Sequence, residues 1–131
     1  MHRIHRQNVL NRAKKRFGCD TIAAFSPENI FYLTGFWGEG IAVTNEERKT
    51  LLITPKLEKD RAINTSNDCD IVIAERGGRL LSQFISSVKK KKTCIDFLDH
   101  SIFEVLKLRV NNPGGLLQSS QPFYDARMIK D

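Results

Sequence analysis

Short runs of consecutive apolar residues alternate along the chain with longer stretches in which apolar residues return every three or four positions. The runs at 20–25, 41–44, 50–54, 70–74, 93–96 and 116–117 have strand length and predict a series of buried strands. Ahead of them, Val9, Leu10, Ala13 and Phe17 give the first segment an apolar side at helical spacing. Pro55 opens a helical stretch through Leu57 and Ala62. Leu80, Leu81, Phe84, Ile85 and Val88 mark a further helix, and Ile102, Phe103, Val105, Leu106 and Leu108 another. Phe123, Ala126, Arg127, Met128 and Ile129 read as a helix still under way at Asp131. Strands 41–44 and 50–54 flank Asn45-Glu46-Glu47-Arg48-Lys49, a polar loop of hairpin length, and should be antiparallel. The remaining strands are separated by helices, which implies a mixed sheet covered on both faces. Asn112-Pro113-Gly114-Gly115 reads as a turn before the last strand.

The most informative stretch is 26–40. Ser26 is placed to cap exposed backbone N–H groups, Pro27 suits the first helical position, and Glu28 sits at the positive end of the dipole. Gly35 ends the helix by supplying a left-handed conformation. Phe36 and Trp37 then precede Gly38-Glu39-Gly40, so large rings stand on a backbone able to bend sharply. Such rings either close the core under a turn or face a ligand.

A length of 131 residues fits one domain, and no apolar stretch approaches the roughly 20 residues needed to span a bilayer, so no membrane contact is expected. His2, Arg3, His5 and Arg6 are not followed by the apolar core of a secretory signal. Cys19, Cys69 and Cys94 lack the paired spacings of zinc or redox motifs, so they read as buried or free thiols of a cytoplasmic protein. The net charge of +6 is concentrated in residues 1–16, with six Arg or Lys and no acid, and in Lys89-Lys90-Lys91-Lys92. No base-stacking aromatics accompany these blocks. A solvated helix face and turn are therefore favoured over nucleic-acid contact.

No H-E-x-x-H, P-loop, G-x-G-x-x-G or nucleophile elbow occurs. His2 and His5, three apart on a basic helix, are expected to be solvent-exposed. Asp96, Asp99 and His100 form the one compact ligand-like group, at a strand end where open α/β sheets often place sites. Asp99 or Ser101 is, however, a natural cap for the following helix, and the group is short of ligands for a divalent ion. Gly77-Gly78 and Gly114-Gly115 read as turn glycines.

At Asn29-Ile30-Phe31-Tyr32-Leu33-Thr34-Gly35-Phe36 the sequence resembles the N-terminal domain of the creatinase/prolidase family, the pita-bread Xaa-Pro dipeptidases and aminopeptidases. The likeness extends to Phe17-Gly18-Cys19-Asp20 after the basic helix, to Leu51-Leu52-Ile53-Thr54-Pro55, to Arg61-Ala62, and to Arg127-Met128-Ile129-Lys130-Asp131, which is similar to the family's entry into its catalytic domain. It implies an α/β fold, a three-layer α/β/α domain with a mixed, ribonuclease-H-like sheet over 1–122, with 123–131 beginning a linker helix toward a C-terminal catalytic domain. In the family, two Asp, one His and two Glu hold a pair of divalent ions, commonly Mn, Co or Zn, that activate a bridging water for attack on the peptide carbonyl. No position here matches those ligands. The resemblance thus implies a chain inactive by itself, without a metal, whose parent is a metal-dependent hydrolase.

Such domains commonly mediate homodimerisation and lend residues to the rim of an active site. The implied partners are the catalytic domain, a second copy and a proline-containing peptide. By position, Tyr32, Phe36 and Trp37 are the substrate-contact candidates, with Glu39 as a contact to a substrate amine. Trp37 and Glu39 lie outside the motif and rest on adjacency: a flat ring suits proline, and a carboxylate suits an ammonium group. Two alternatives share the fold: a non-catalytic module that binds partners such as histones, and the N-terminal domain of a creatine-type amidinohydrolase.

Overall fold

The computed structural model describes residues 2–47, 49–76, 78–110 and 115–128. The expectations at Arg48, Gly77, 112–114 and 129–131 lie outside them. In chain order the elements are α1 (His2–Phe17), β1 (Thr21–Ala24), α2 (Pro27–Thr34), β2 (Ile41–Asn45), β3 (Thr50–Thr54), a 3₁₀ turn (Lys56–Glu58), α3 (Lys59–Thr65), β4 (Asp70–Ile73), α4 (Gly78–Val88), β5 (Thr93–Ile95), α5 (His100–Val110), β6 (Leu116–Gln118) and α6 (Gln121–Arg127).

One sheet runs β4-β3-β2-β1-β5-β6. β2 is antiparallel to both β1 and β3, and the short polar loop between β2 and β3 permits only a hairpin there. Asn45 closes that loop: its Oδ1 accepts the N–H groups of Glu47 and Lys49 at 3.0 and 3.2 Å. The pairs β3–β4, β1–β5 and β5–β6 are parallel, each needing a crossover. The period of two in each strand divides the core. Ile22, Ala24, Ala42, Leu52 and Cys94 face one side, under residues of α1, α2, α3 and α6. Ala23, Ile41, Val43, Ile53 and Ile95 face the other, under Leu80, Phe84, Ile85 and Val88 of α4 and Phe103 and Leu106 of α5. The result is the mixed, three-layer α/β/α arrangement expected.

Three local expectations are corrected. β4 is an edge strand, with Asp70 and Ile73 exposed and Ile71 and Val72 half-buried, because only β3 flanks it among the described residues. Leu57 is 80% exposed, since the backbone after Pro55 first makes a 3₁₀ turn and α3 starts only at Lys59. In α5, Ile102 and Val105 are exposed while Phe103 and Leu106 fill the core, so one apolar stripe serves two faces. α6 docks on α1 and buries Phe123 and Ala126 in the first layer.

Candidate functional site

The segment after α2 returns the chain to the carboxyl edge of the parallel strands. There Ala24 pairs with Ala42 and Ile41 with Ile53, so residues 36–40 stand above the ends of β1 and β3. α2 starts as read at Pro27 and ends at Gly35, whose φ of 82° is the left-handed cap. Ser26 departs from expectation. Its hydroxyl makes no bond to the helix backbone and donates instead to the Glu28 carboxylate. That bond and its own backbone N–H hold Glu28 below the usual carboxylate range.

Beyond Gly35 the loop alternates buried and exposed residues. Phe36 is fully buried, with Arg61 5.7 Å over its ring, so it anchors the loop in the core and presents no face to a ligand. Trp37 is 52% exposed, its ring edge-on to the 47% exposed Phe31 at 6.0 Å. Gly38 has no room for a side chain: a Cβ there would meet the Glu58 carboxylate and come within 2.6 Å of the Phe36 ring. Exposed Glu39 pairs through Oε2 with Nε of Arg76 at 2.8 Å, and its carbonyl accepts the Thr54 hydroxyl at 2.7 Å. Gly40 lets the chain pass the Ile53 carbonyl, which would lie 2.7 Å from a Cβ. Tyr32 is half-buried and points away from the loop, stacking on His5 at 3.9 Å and donating its hydroxyl to the Ala126 carbonyl at 3.1 Å. Of the four sequence candidates, Trp37 and Glu39 thus form the surface and Tyr32 and Phe36 the support.

In the other ligand-like group, Asp96 and Asp99 are each engaged by the chain's own donors. Asp96 is 2% exposed, and its two oxygens accept the N–H groups of Phe25 (2.8 Å), Ser26 (3.1 Å) and Phe97 (2.7 Å) and the Asn29 side-chain amide (2.8 Å). Those four donors occupy the lone pairs a cation would need, while burial still pushes the carboxyl above its ordinary value. Asp99 caps α5 by accepting the Ser101 N–H at 3.0 Å. Among the described residues, no group of three or more His, Cys, Asp or Glu side chains could hold a metal ion. The donors among the described residues therefore do not fit a dinuclear centre. All three cysteines are free. Cys19 and Cys94 are buried side by side in the core, and the hydrogen bond to Cys19 together with burial drives the Cys94 thiol far above the usual range.

The histidine expectation is also overturned. His2 and His5 are half-buried, and both Nδ1 atoms meet the Tyr32 carbonyl oxygen, at 3.0 and 2.9 Å. Arg6, 5% exposed, donates to the carbonyls of Leu33 (2.7 Å), Asp68 (3.3 Å) and Asn67. The sequence signal was present as basic residues at i, i+3 and i+4, but it read as a solvated face.

At the opposite, amino-terminal edge the two basic blocks come together. Lys92 O accepts the N–H groups of Asp20 and Thr21 at 3.0 and 3.2 Å, which sets the lysine run beside the end of α1. Lys14 pairs with Glu46 and Arg16 with Asp125, each at 3.3 Å. No helix among the described residues is long and apolar enough to cross a membrane.

Comparison places this geometry among known proteins. The fold matches the prolidase from Pyrococcus horikoshii OT3 with a TM-score of 0.79 at 20% identity, covering 97% of this chain and 35% of that one. It matches the Xaa-Pro dipeptidase from Bacillus anthracis with a TM-score of 0.80 at 20% identity, over 98% of this chain and 36% of that one. The N-terminal domain of the cytoplasmic peptidase PepQ from Mycobacterium tuberculosis H37Rv matches with a TM-score of 0.77 at 18% identity, over 93% of this chain and 98% of that one. The chain thus spans about a third of the length of the first two proteins, and at these identities the likeness is one of fold. No curated protein matches. The Creatinase/Prolidase N-terminal domain family matches residues 6–129, nearly the whole sequence, and the chain belongs to that family.

Proposed function

We propose that this chain is the accessory domain of an Xaa-Pro dipeptidase or aminopeptidase, inactive alone, which completes a substrate pocket formed mainly by a C-terminal catalytic domain. α6 and residues 123–131 would lead toward that domain. The observation that carries the reading is the 36–40 loop: Trp37 and Glu39 are exposed on a base fixed by buried Phe36, left-handed Gly35 and two glycines with no room for a side chain. A half-exposed indole offers a flat apolar face to a proline ring. Glu39 offers a carboxylate to a substrate ammonium group, which would compete with Arg76 for it.

Hydrolysis belongs to two divalent ions, Mn, Co or Zn, held by the catalytic domain, and this chain's part is to bind and orient. A homodimer in the cytoplasm, with this domain at the rim of its partner's site, fits the same reading. In the parent enzyme, Trp37→Ala is expected to raise KM for a proline-containing peptide about tenfold while the fold is retained. Unchanged kinetics would sink the pocket role. Turnover of an Xaa-Pro dipeptide by this chain with manganese or cobalt, above a metal-only control, would sink the claim that the chemistry lies elsewhere.

A second reading, a non-catalytic binding module of the same fold, is favoured by the convergence of the lysine run on the end of α1. Five metal ligands in the downstream sequence mark an enzyme; their absence marks the binding module.

A further inference from the structure

An α-helix ends with four carbonyls that have no partner in the helix itself. In α2 all four are accounted for. Phe31 O accepts the Gly35 N–H at 2.8 Å and Thr34 O the Asn67 N–H at 2.8 Å. The two between them are met from α1: Tyr32 O takes His2 and His5, and Leu33 O takes Arg6 at 2.7 Å. A carbonyl can only accept, so both imidazoles carry a proton on Nδ1. Arg6 spreads further, reaching the Asn67 and Asp68 carbonyls and the Cys69 sulfur at 3.2 Å, and so ties the end of α2 to the α3–β4 connection.

A second line of contact runs through rings. His5 stacks on Tyr32, His2 meets Phe31 edge-on at 6.4 Å, and Phe31 meets Trp37 edge-on at 6.0 Å. Both lines leave the first two turns of α1 and arrive at the residues immediately before and within the loop.

We propose that His2, His5 and Arg6 are positioning residues for Trp37, so that the start of α1 is functionally part of the candidate site. The proposal rests on the reading that Trp37 is the substrate contact. It makes the face of the indole depend on side chains some 30 positions away in the chain. Loss of these donors removes the α1 contacts from the Tyr32 and Leu33 carbonyls, loosens the last turn of α2, lets Gly35 shift, and separates Trp37 from Phe31.

Trp37 is the only tryptophan of the chain, so its fluorescence reads the loop without any substrate. In His2→Ala/His5→Ala, acrylamide quenching of Trp37 is expected to rise about twofold, as a ring now 52% exposed becomes fully so. His2→Asn/His5→Asn, whose amide nitrogens take the place of the two Nδ1 donors, should return quenching to the parent level. Leu106→Ala, in the opposite core layer, should lower Tm and leave quenching unchanged. If the double alanine variant fails to fold, His2→Ala alone should show a smaller rise in the same direction. Unchanged quenching in a folded alanine variant, or an equal rise in Leu106→Ala, would overturn the proposal. No peptide is present in these measurements, so their outcome is separate from the kinetic test of Trp37→Ala.

Discussion

Four donors converge on the two oxygens of Asp96, and none of them is a cation. The carboxylate thereby joins the ends of β1 and β5 to the start of α2. Asp96→Asn turns one acceptor oxygen into a donor facing other donors, and should lower stability by about 2–4 kcal/mol in urea unfolding. The same group gives a pH dependence. Burial raises its pKa above the ordinary 3.8, so between those two values the folded state holds a proton that the unfolded state has released. Its contribution is therefore greatest on the acid side and falls as pH rises through that window. Urea midpoints collected from about pH 4 upward should show this downward slope in the parent and lose it in Asp96→Asn. Gly35 makes a simpler case: Gly35→Ala places a Cβ 3.0 Å from the Thr65 carbonyl at a φ of 82°. A loss of about 1–3 kcal/mol, read as a lower Tm, is expected.

At the scale of elements, Arg6 shows why a helix can be legible while its role is not. The guanidinium fork serves three carbonyls and a sulfur at once, which a single ammonium cannot do. Arg6→Lys is accordingly expected to destabilise the domain by about 2–3 kcal/mol despite keeping the charge, measured by thermal unfolding. Periodicity revealed α1, since Val9, Leu10 and Ala13 are apolar and buried. It could not reveal that His2, His5 and Arg6 face another helix, because their partners are backbone carbonyls, which no side-chain pattern records. Asp96 was visible as a polar residue ending a strand, yet its donors are mostly backbone N–H groups brought together by folding. The loop itself was legible: glycine and aromatic neighbours announced a tight turn. That Phe36 turns inward and Trp37 outward was not, since both are large apolar rings and their order in the chain does not tell them apart.

For the molecule as a whole, the sheet order sets which parts open first. β1, β2 and β5 are interior and flanked on both faces, whereas β4 is a half-exposed edge and β6 a three-residue one. Amide hydrogen exchange should be slowest at Ile22, Val43 and Ile95 and faster in β4 and β6. Uniform protection across the sheet would contradict this ranking.

β2, the one strand that opposes its neighbours, has a consequence in time. Because the hairpin and the short path through α2 keep pairings local, β1 to β4 can assemble from the first 73 residues, while β5 must return to β1 from residue 93. During synthesis the newborn chain therefore carries four of the six strands, with the β1 flank open until β5 has emerged. That interval is when the domain is most exposed to pairing with a wrong strand.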